Sequence, residues 1–369
     1  MSKSVLITGG CGFIGRHLVN ELLHSNYSVR VLDSLVPQVH GEARVFLDGN
    51  VEQIEGDVRD PRAVRQALKG VDCVIHLAAE VGVGQSMYEI SRYIGTNDLG
   101  TAVLLENLID YPVRRLVVAS SMSVYGEGLY RTCSGELRSN AQRDRRRIRP
   151  GHWDPADSDG STLIPVPTSE EKPVALASIY ALTKYTQERA CLIFAEAYDR
   201  EAVALRLFNV YGPGQALSNP YTGVLANFAS RLANGQRPLT FEDGNQRRDF
   251  VHVKDVARAF RLALEEPAAS GQPINIGGGS SYAIKDVAHL LAEAMGVSHL
   301  QPDILNKARF GDIRHCFADI SRAHRLLGYK PRYRLEDSFA ELASWVRGTS
   351  ATDGGPEMCR QLEGRGLIS

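Results

Sequence analysis

The chain has little of what marks a membrane, secreted or nucleic-acid-binding protein. Its 369 residues hold no uninterrupted apolar run of the length that a bilayer-spanning helix needs. The opening residues MSKSVLITGG lack the hydrophobic core and cleavage region of a signal peptide. The formal net charge of −1 disfavours a nucleic-acid-binding or membrane-surface protein, because such proteins usually carry excess positive charge. We therefore expect a cytoplasmic globular protein with neither kind of partner.

Cysteine is also scarce and scattered. No CxxC pair occurs, and the six cysteines are far apart in the sequence: Cys11, Cys73, Cys133, Cys191, Cys316 and Cys359. Such spacing is typical of neither a disulfide framework nor a zinc site, so we expect no metal. The same pattern fits a reducing compartment.

The first half of the chain instead shows strand and helix patterns in alternation. The predicted strands are Ser4–Thr8, Ser28–Asp33, Val51–Glu55, Cys73–Ala78, Arg115–Ser120 and, further on, Ala202–Phe208. The predicted helices are Phe13–Ser25, Asp60–Lys69, Tyr88–Tyr111 and Ser178–Arg200. This alternation predicts an α/β fold with a doubly wound parallel sheet.

A glycine-rich turn joins the first predicted strand to the first predicted helix. Gly9, Gly12 and Gly15 have the spacing G-x-x-G-x-x-G. Glycine lets the backbone turn tightly and approach a pyrophosphate, whose charge then lies at a helix N-terminus. Glycines also mark ordinary turns, but the strand–turn–helix context predicts a dinucleotide site.

Asp33 indicates which dinucleotide binds. It ends the second strand, where a carboxylate can accept hydrogen bonds from the adenosine ribose diol. No arginine follows it at once, so a 2′-phosphate would meet negative charge, and NAD is favoured over NADP. The alternative is an aspartate that only caps a turn.

A phenol and an ammonium group are spaced for acid–base chemistry. Tyr180 and Lys184 stand at i and i+4, on one face of a predicted helix. The ammonium stabilises the phenolate, so the tyrosine can act as a general base. Ser120–Ser123 ends the fifth strand, at the edge where doubly wound sheets bind ligands. The alternatives are a solvated helix face and a strand-end serine cluster.

The later part of the chain has shorter strands and longer loops. We predict a cofactor-binding domain over residues 1–210, with an insertion at about 127–167 that is rich in Arg, Gly, Ser and Pro. Residues 211–350 are predicted to form a smaller α/β substrate lobe from discontinuous segments. Residues 351–369 are predicted to be a surface tail or a short final helix.

Five motifs together resemble the extended short-chain dehydrogenase/reductase family. They are TGGCGFIG, HLAA, SSMSVYG, YALTK and LRLFNVYGPGQ. Within the family the resemblance is to NAD-dependent nucleotide-sugar epimerases, including UDP-glucose 4-epimerase-like and dTDP-L-rhamnose 4-epimerase-like members. It implies a Rossmann-type fold, NAD as cofactor, a UDP- or dTDP-linked sugar as substrate, and a homodimer paired through the helices at Tyr88–Tyr111 and Ser178–Arg200.

The resemblance also implies roles for individual residues. Tyr180 would be the catalytic base, Lys184 its partner and Ser121 the catalytic hydroxyl. The implied cofactor contacts are Gly9, Gly12, Phe13, Ile14, Gly15, Asp33, Asp57, Val58, Leu77, Ala78, Ala79, Asn97, Ser120, Tyr180, Lys184 and Phe208. The implied substrate contacts are Val83, Ser121, Ser123, Asn209, Asn219, Val224, Phe241, Arg248, Arg309 and Asp312.

Arginines of the second lobe suit a diphosphate. Guanidinium forks match phosphate oxygens, and the resemblance gives this role to Arg248 and Arg309. The alternative is surface ion pairing, and for Arg247 and Arg314 both interpretations stay open.

The two residues that directly follow Ser121 indicate which of the family's reactions the chain catalyses. Family dehydratases carry an Asp-Glu pair there, and UDP-glucuronate decarboxylases carry a Glu at the second position, whereas this chain has Met122 and Ser123. The resemblance therefore implies 4-epimerisation, in which the sugar C4 hydroxyl is oxidised and hydride returns to the opposite face. The alternatives are a reductase of nucleotide-linked 4-keto sugars and a non-catalytic NAD-sensing protein. Intact Ser121, Tyr180 and Lys184 disfavour the sensor.

The insertion departs from similar proteins that carry paired CxxC motifs there. Only Cys133 is present, so a zinc ribbon is not expected. The arginine-rich run at 142–149 could bind an anionic ligand, but we favour a solvated, mobile loop.

Overall fold

A seven-stranded parallel sheet forms the centre of the computed structural model, which describes residues 3–41, 47, 49–143, 148, 151–221, 223–349 and 351–368. The strands are β1 Ser4–Thr8, β2 Ser28–Asp33, β3 Glu52–Glu55, β4 Cys73–His76, β5 Arg115–Ser121, β6 Leu129–Arg131, β7 Leu137–Arg138, β8 Ile164–Val166, β9 Glu201–Leu207, β10 Asn209–Tyr211, β11 Leu239–Thr240, β12 Arg247–Arg248, β13 Phe250–His252, β14 Pro273–Ile276, β15 Tyr282–Ala283, β16 Asp303–Ile304 and β17 His315–Cys316.

Thirteen α-helices surround the sheets in the described part of the chain. They are α1 Phe13–His24, α2 Pro37–His40, α3 Pro61–Leu68, α4 Val83–Ser86, α5 Ile90–Tyr93, α6 Gly100–Asp110, α7 Ile179–Ala197, α8 Val224–Ala233, α9 Val253–Glu265, α10 Ile284–Ala294, α11 Ser321–Leu327, α12 Leu335–Arg347 and α13 Gly355–Glu363. Among these residues, none of the helices has both the length and the apolar character needed to cross a membrane.

The strand order of the large sheet is β14-β9-β5-β4-β1-β2-β3, and every neighbouring pair is parallel. Alternate residues of a strand face opposite sides of a sheet. In β1, Val5 and Ile7 therefore pack in one core layer with α1 and α9, while Leu6 packs in the other with α3, α6 and α7. Both faces of the sheet are covered, as the predicted doubly wound fold requires.

A π-helical segment, Ile94–Leu99, interrupts the helix predicted for Tyr88–Tyr111. Asn97 lies within it, fully buried, and its amide bonds the Glu80 backbone and the Thr183 hydroxyl at 2.7 to 3.1 Å. The wider turn coincides with this side-chain anchor. A regular period of 3.6 residues cannot predict such a segment.

The second lobe has its own apolar core between α8, α10 and α12. Two segments that follow residue 210 nevertheless belong to the large sheet: β14 is its edge strand, and α9 packs on one of its faces. The lobe is therefore assembled from pieces on either side of them. The boundary at residue 210 remains a prediction.

The described residues of the insertion form a small antiparallel sheet in the order β7-β6-β8. Trp153, between β7 and β8, is buried. The final segment contains the helix α13.

Candidate active site

One cavity of about 600 Å³ runs from the glycine turn to the second lobe. Of the residues that the sequence predicts for catalysis, cofactor and substrate, all but Asn97 line it. The structure does not bring Asn97 to the wall, because its amide is used inside the protein to hold Glu80 and Thr183. Predicted residues that are far apart in the sequence thus meet around one cavity at the strand ends of the large sheet.

The glycine turn has the geometry of a phosphate cradle. Gly9 has φ +73°, and a Cβ there would lie 2.8 Å from the Ala78 backbone nitrogen. A Cβ on Gly15 would lie 2.5 Å from the Gly10 carbonyl oxygen. Gly12 caps α1 without a side chain, which leaves the first amides of the helix to an anionic ligand. The turn therefore fits the pyrophosphate of a dinucleotide.

Asp33 lines the cavity at the end of β2, as predicted. Its carboxylate accepts hydrogen bonds from the backbone N–H groups of Cys11 at 2.9 Å and Leu35 at 3.0 Å. The His40 imidazole lies 3.4 Å away. Asp33 thus also caps the turn, and its carboxylate is held at the place where a ribose diol would lie.

Asp57 has a partner that the sequence analysis missed. The Arg59 side chain forms a bidentate salt bridge with its carboxylate, with Nη2 2.5 Å from Oδ2 and Nε 3.0 Å from Oδ1. The hydrogen bonds from Arg59 hold the pKa of Asp57 below its usual range. Arg59 also lines the cavity, next to Val58. The predicted adenine end of the cleft therefore includes a guanidinium plane.

The proposed catalytic hydroxyls meet where β5 faces the start of α7. Ser121 ends β5, and its Oγ accepts a hydrogen bond from the Ser123 hydroxyl at 3.0 Å. Ser178 caps α7 by accepting from the Ala181 N–H, which places Tyr180 in the first turn. Burial raises the pKa of Tyr180, and the hydrogen bond from Ser121 opposes that rise.

Lys184 is buried one turn beyond Tyr180. Its ammonium donates to the Gln187 side-chain oxygen at 2.7 Å, and burial lowers the pKa of Lys184 to about 8. Gln187 is itself fixed by bonds to the Thr101 hydroxyl at 2.9 Å and the Ala78 carbonyl at 3.3 Å. A neutral amide thus holds the ammonium, so its charge stays available for a phenolate.

The carboxylate of Glu188 is hydrogen-bonded to other partners. Arg206 binds both of its oxygens, at 2.6 and 2.9 Å. The Ser120 hydroxyl donates to the same carboxylate at 2.6 Å. Ser120 therefore lines the cavity while its hydroxyl points into a buried ion pair, in keeping with a partly structural role.

The predicted arginine clamps converge on Asp312. Arg309 donates to its carboxylate at 2.9 Å, and Arg248 lies 3.8 Å from it. The Arg309 guanidinium also stacks over the Phe241 ring, 4.3 Å from the centroid. On the wall of the same cavity, the Asn209 side-chain oxygen is a buried acceptor without a hydrogen-bond partner in the described part of the chain. The wall thus gathers cationic forks and a free amide.

Arg247 and Arg314, for which two interpretations were open, bond within the protein. Arg247 donates to Ser281 at 2.8 and 3.0 Å. Arg314 is fully buried and pairs with Asp154, Glu242 and Asp243 at 2.6 to 3.4 Å. Neither lines the cavity, so ion pairing and backbone support describe them better than substrate binding.

The arginine-rich run of the insertion was expected to be solvated, which is wrong for Arg143. Its guanidinium is buried and bonds Glu127 at 2.8 Å and Glu242 at 2.5 Å. It also donates to the Asp312 carbonyl at 2.6 Å. Residues 144–147 and 149 lie outside the described part of the chain. A charge run alone gives no sign of buried carboxylate partners so distant in sequence.

Sequence reasoning also missed a wall made by the last helix. Gly355, Met358 and Leu362 of α13 and the following Leu367 line the cavity. Gln246 lines it too, and its side-chain oxygen is buried without a hydrogen-bond partner among the described residues. The apolar spacing of three and four residues in α13 was the available signal.

Comparison with known proteins agrees with this geometry. A model of the NAD dependent epimerase/dehydratase family matches residues 5–147 and 155–277. The dTDP-L-rhamnose 4-epimerase of Burkholderia thailandensis is 36% identical over 351 residues, covering 93% of this chain and 95% of that protein.

Solved structures of nucleotide-sugar epimerases are similar to this chain over nearly its whole length. The UDP-glucose 4-epimerase of Thermotoga maritima, crystallised with UDP-glucose, has a TM-score of 0.76 at 29% identity, covering 94% of this chain and 99% of that one. The UDP-glucose 4-epimerase of Thermus thermophilus, in complex with NAD, has a TM-score of 0.74 at 28% identity, covering 94% of this chain and 100% of that one.

Fold and cleft define a Rossmann-type, NAD-dependent enzyme. The chain belongs to the NAD-dependent epimerase/dehydratase family. The predicted family, fold class and cofactor are thereby confirmed.

Proposed function

We propose that this enzyme is a nucleotide-sugar 4-epimerase. The observation that carries the proposal is a single cavity with three successive parts: the glycine cradle at Gly9–Gly15, the Ser121–Tyr180–Lys184 group, and the Arg248–Arg309 clamp. A cofactor in the cradle and a diphosphate at the clamp would both reach the central group. That order suits hydride exchange with a sugar that carries a nucleoside diphosphate.

The central residues have the chemistry that the reaction needs. Bound NAD would supply the hydride acceptor and donor. Tyr180 would take the proton from the sugar 4-hydroxyl and give it back after the ring has presented its other face. Lys184 would stabilise the phenolate, and Ser121 would donate a hydrogen bond that orients the sugar oxygen.

Residues beside Ser121 support epimerisation over water loss. Met122 has no titratable group, and the Ser123 hydroxyl is used in a hydrogen bond to Ser121. Neither can supply the acid and base of a dehydration. The dehydratase and decarboxylase reactions are therefore disfavoured.

At the far end of the cleft, the substrate would be a UDP- or dTDP-linked sugar. Arg248 and Arg309 would hold the diphosphate, and Asp312 the ribose. Asn219, Val224 and Phe241 would surround the nucleobase. The described side chains provide cationic forks beside an aromatic ring, which suits a phosphate followed by a flat base.

The proposed activity has a direct assay. Purified enzyme with NAD+ and a panel of UDP- and dTDP-sugars should form the 4-epimer of at least one of them, with no net change in NADH absorbance. Stoichiometric consumption of NADH or NADPH with a 4-keto sugar, and no epimer, would support the ketoreductase alternative instead.

We also propose a homodimer formed through the outer faces of α5, α6 and α7 and the π-helical segment between α5 and α6. Large apolar side chains are exposed there, at 40–54% of their full area: Ile90, Ile94, Leu99, Ile109, Leu182 and Ile193. Exposed apolar groups on neighbouring helices are typical of an interface between subunits. Light scattering should give the mass of two chains, and Leu99→Lys should give the mass of one.

A further inference from the structure

The last helix presents an apolar face to the cavity instead of lying on the surface. Gly355, Met358 and Leu362 are spaced by three and four residues, so they share one face of α13. Met358 is 7% exposed and Leu362 is 2% exposed. All three line the cavity. The segment at residues 351–368, called here the C-terminal segment, is therefore part of the cleft.

The position of this face points to the nucleoside. Met358 and Leu362 pack in one apolar cluster with Phe241. The Arg309 guanidinium lies over the ring of that same phenylalanine. With the diphosphate at Arg309 and the reacting sugar at Tyr180, a nucleoside that extends away from Tyr180 would meet this cluster.

The C-terminal segment is fastened to elements on both sides of the cleft. On the substrate-lobe side, the Phe310 N–H donates to the Leu367 carbonyl at 2.8 Å. From the same lobe, the Tyr221 hydroxyl donates to the Gln361 side-chain oxygen at 2.8 Å. On the other side, the Tyr88 hydroxyl donates to that oxygen at 3.0 Å. These bonds hold the C-terminal part of α13 and the residues that follow it against the cavity.

We propose that the C-terminal segment forms the nucleoside-binding wall, and that Met358 and Leu362 are specificity-determining residues against which a pyrimidine nucleoside packs. The thioether and the leucine side chain exclude water from one face of the nucleoside, while the clamp binds its diphosphate. The inference rests on the proposed nucleotide-sugar substrate.

The test measures binding without turnover, so it stands apart from the epimerase assay. UDP and dTDP are titrated into the NAD-loaded enzyme by calorimetry, for the wild type and a Met358→Ala/Leu362→Ala double variant. Arg360→Ala is the matched control, because Arg360 lies on the solvent face of the same helix and is 72% exposed. Thermal unfolding and NAD affinity report whether each variant is folded.

Loss of the wall should weaken UDP and dTDP binding about tenfold, and a UDP-sugar by the same factor. NAD affinity and the Arg360→Ala variant should match the wild type. Unchanged UDP affinity in a folded double variant would overturn the proposal, as would weakening confined to the sugar-bearing ligand. If the double variant does not fold, the test uses Met358→Gln, which keeps the side-chain length and should weaken UDP binding. Unchanged UDP binding by that variant would also overturn the proposal. The absence of any epimer from the wild type would count only against the proposed function.

Discussion

At the scale of single residues, the buried ammonium of Lys184 serves the proposed proton transfer but lowers the stability of the folded protein. Its ammonium is buried against a neutral amide, and burial lowers its pKa to about 8 from an ordinary value of 10.5. Carrying the charge into the folded protein therefore opposes folding at neutral pH. A residue that served only the fold would not need this charge.

Replacing Lys184 by methionine should raise stability and remove activity. At pH 7 we expect a gain of about 1–3 kcal/mol in the free energy of unfolding, after allowance for the lost bond to Gln187. Between pH 8 and 10.5 the unfolded state binds more protons than the folded state, so the wild type gains stability as pH rises and the advantage of Lys184→Met shrinks. Urea unfolding at pH 7 and pH 10 checks this, with the exposed Lys69→Met as control. A variant that is less stable at pH 7 would contradict the account.

Tyr180→Phe separates proton transfer from binding. Loss of the phenol removes the proposed base, so kcat should fall by about 10²–10⁴-fold. The cofactor cradle and the clamp are untouched, so affinities for NAD and UDP should stay within a factor of about two or three. Steady-state kinetics and calorimetry measure the two quantities. Activity close to that of the wild type would show that another group moves the proton.

At the scale of elements, the insertion is fastened to the second lobe by a buried arginine. Arg143 bonds Glu127 and Glu242, and its third contact is the backbone of Asp312. Burial raises the pKa of Glu242, and the Arg143 charge opposes that rise. The insertion thereby supports the loop that carries a proposed substrate contact.

Arg143→Met should leave two buried carboxylates short of a partner. The expected loss is about 3–5 kcal/mol of stability, together with a higher KM for the nucleotide sugar because Asp312 loses its support. Chemical unfolding and initial-rate kinetics give both values. Arg138→Met is the control, because it removes a more exposed ion pair from the same insertion. Its stability and its KM should equal those of the wild type. Equal behaviour of the two variants would show that the buried pair is not an anchor.

Local patterns predict six of the seven strands of the large sheet, but not its edge strand β14. Strand β2 has the predicted bounds, and α7 begins one residue after its predicted start because Ser178 is the cap. The π-helical segment and the anchoring of Arg143 depend on contacts between residues far apart in sequence. Neither the periodicity nor the charge run carries that information.

At the scale of the whole molecule, the site draws on residues from Gly9 to Leu367. Glycine spacing and the Tyr–Lys pair have local signatures, whereas most other cavity residues, the arginine clamps among them, were predicted from the family resemblance. The wall made by α13 has only an apolar spacing, which indicates that one face of the helix is buried but not what it packs against. The dimer, the domain boundary and the cytoplasmic location remain predictions.

In the proposed reaction, hydride leaves C4 of a nucleotide sugar and returns to the same carbon on the opposite face. The most direct measurement is NMR of the product formed from a UDP- or dTDP-sugar carrying deuterium at C4. The expected product is a 4-epimer that retains the deuterium, with no exchange from solvent and no net change in NADH. Product that has lost the label to solvent, or a label that is transferred permanently to NAD without formation of the epimer, would contradict it.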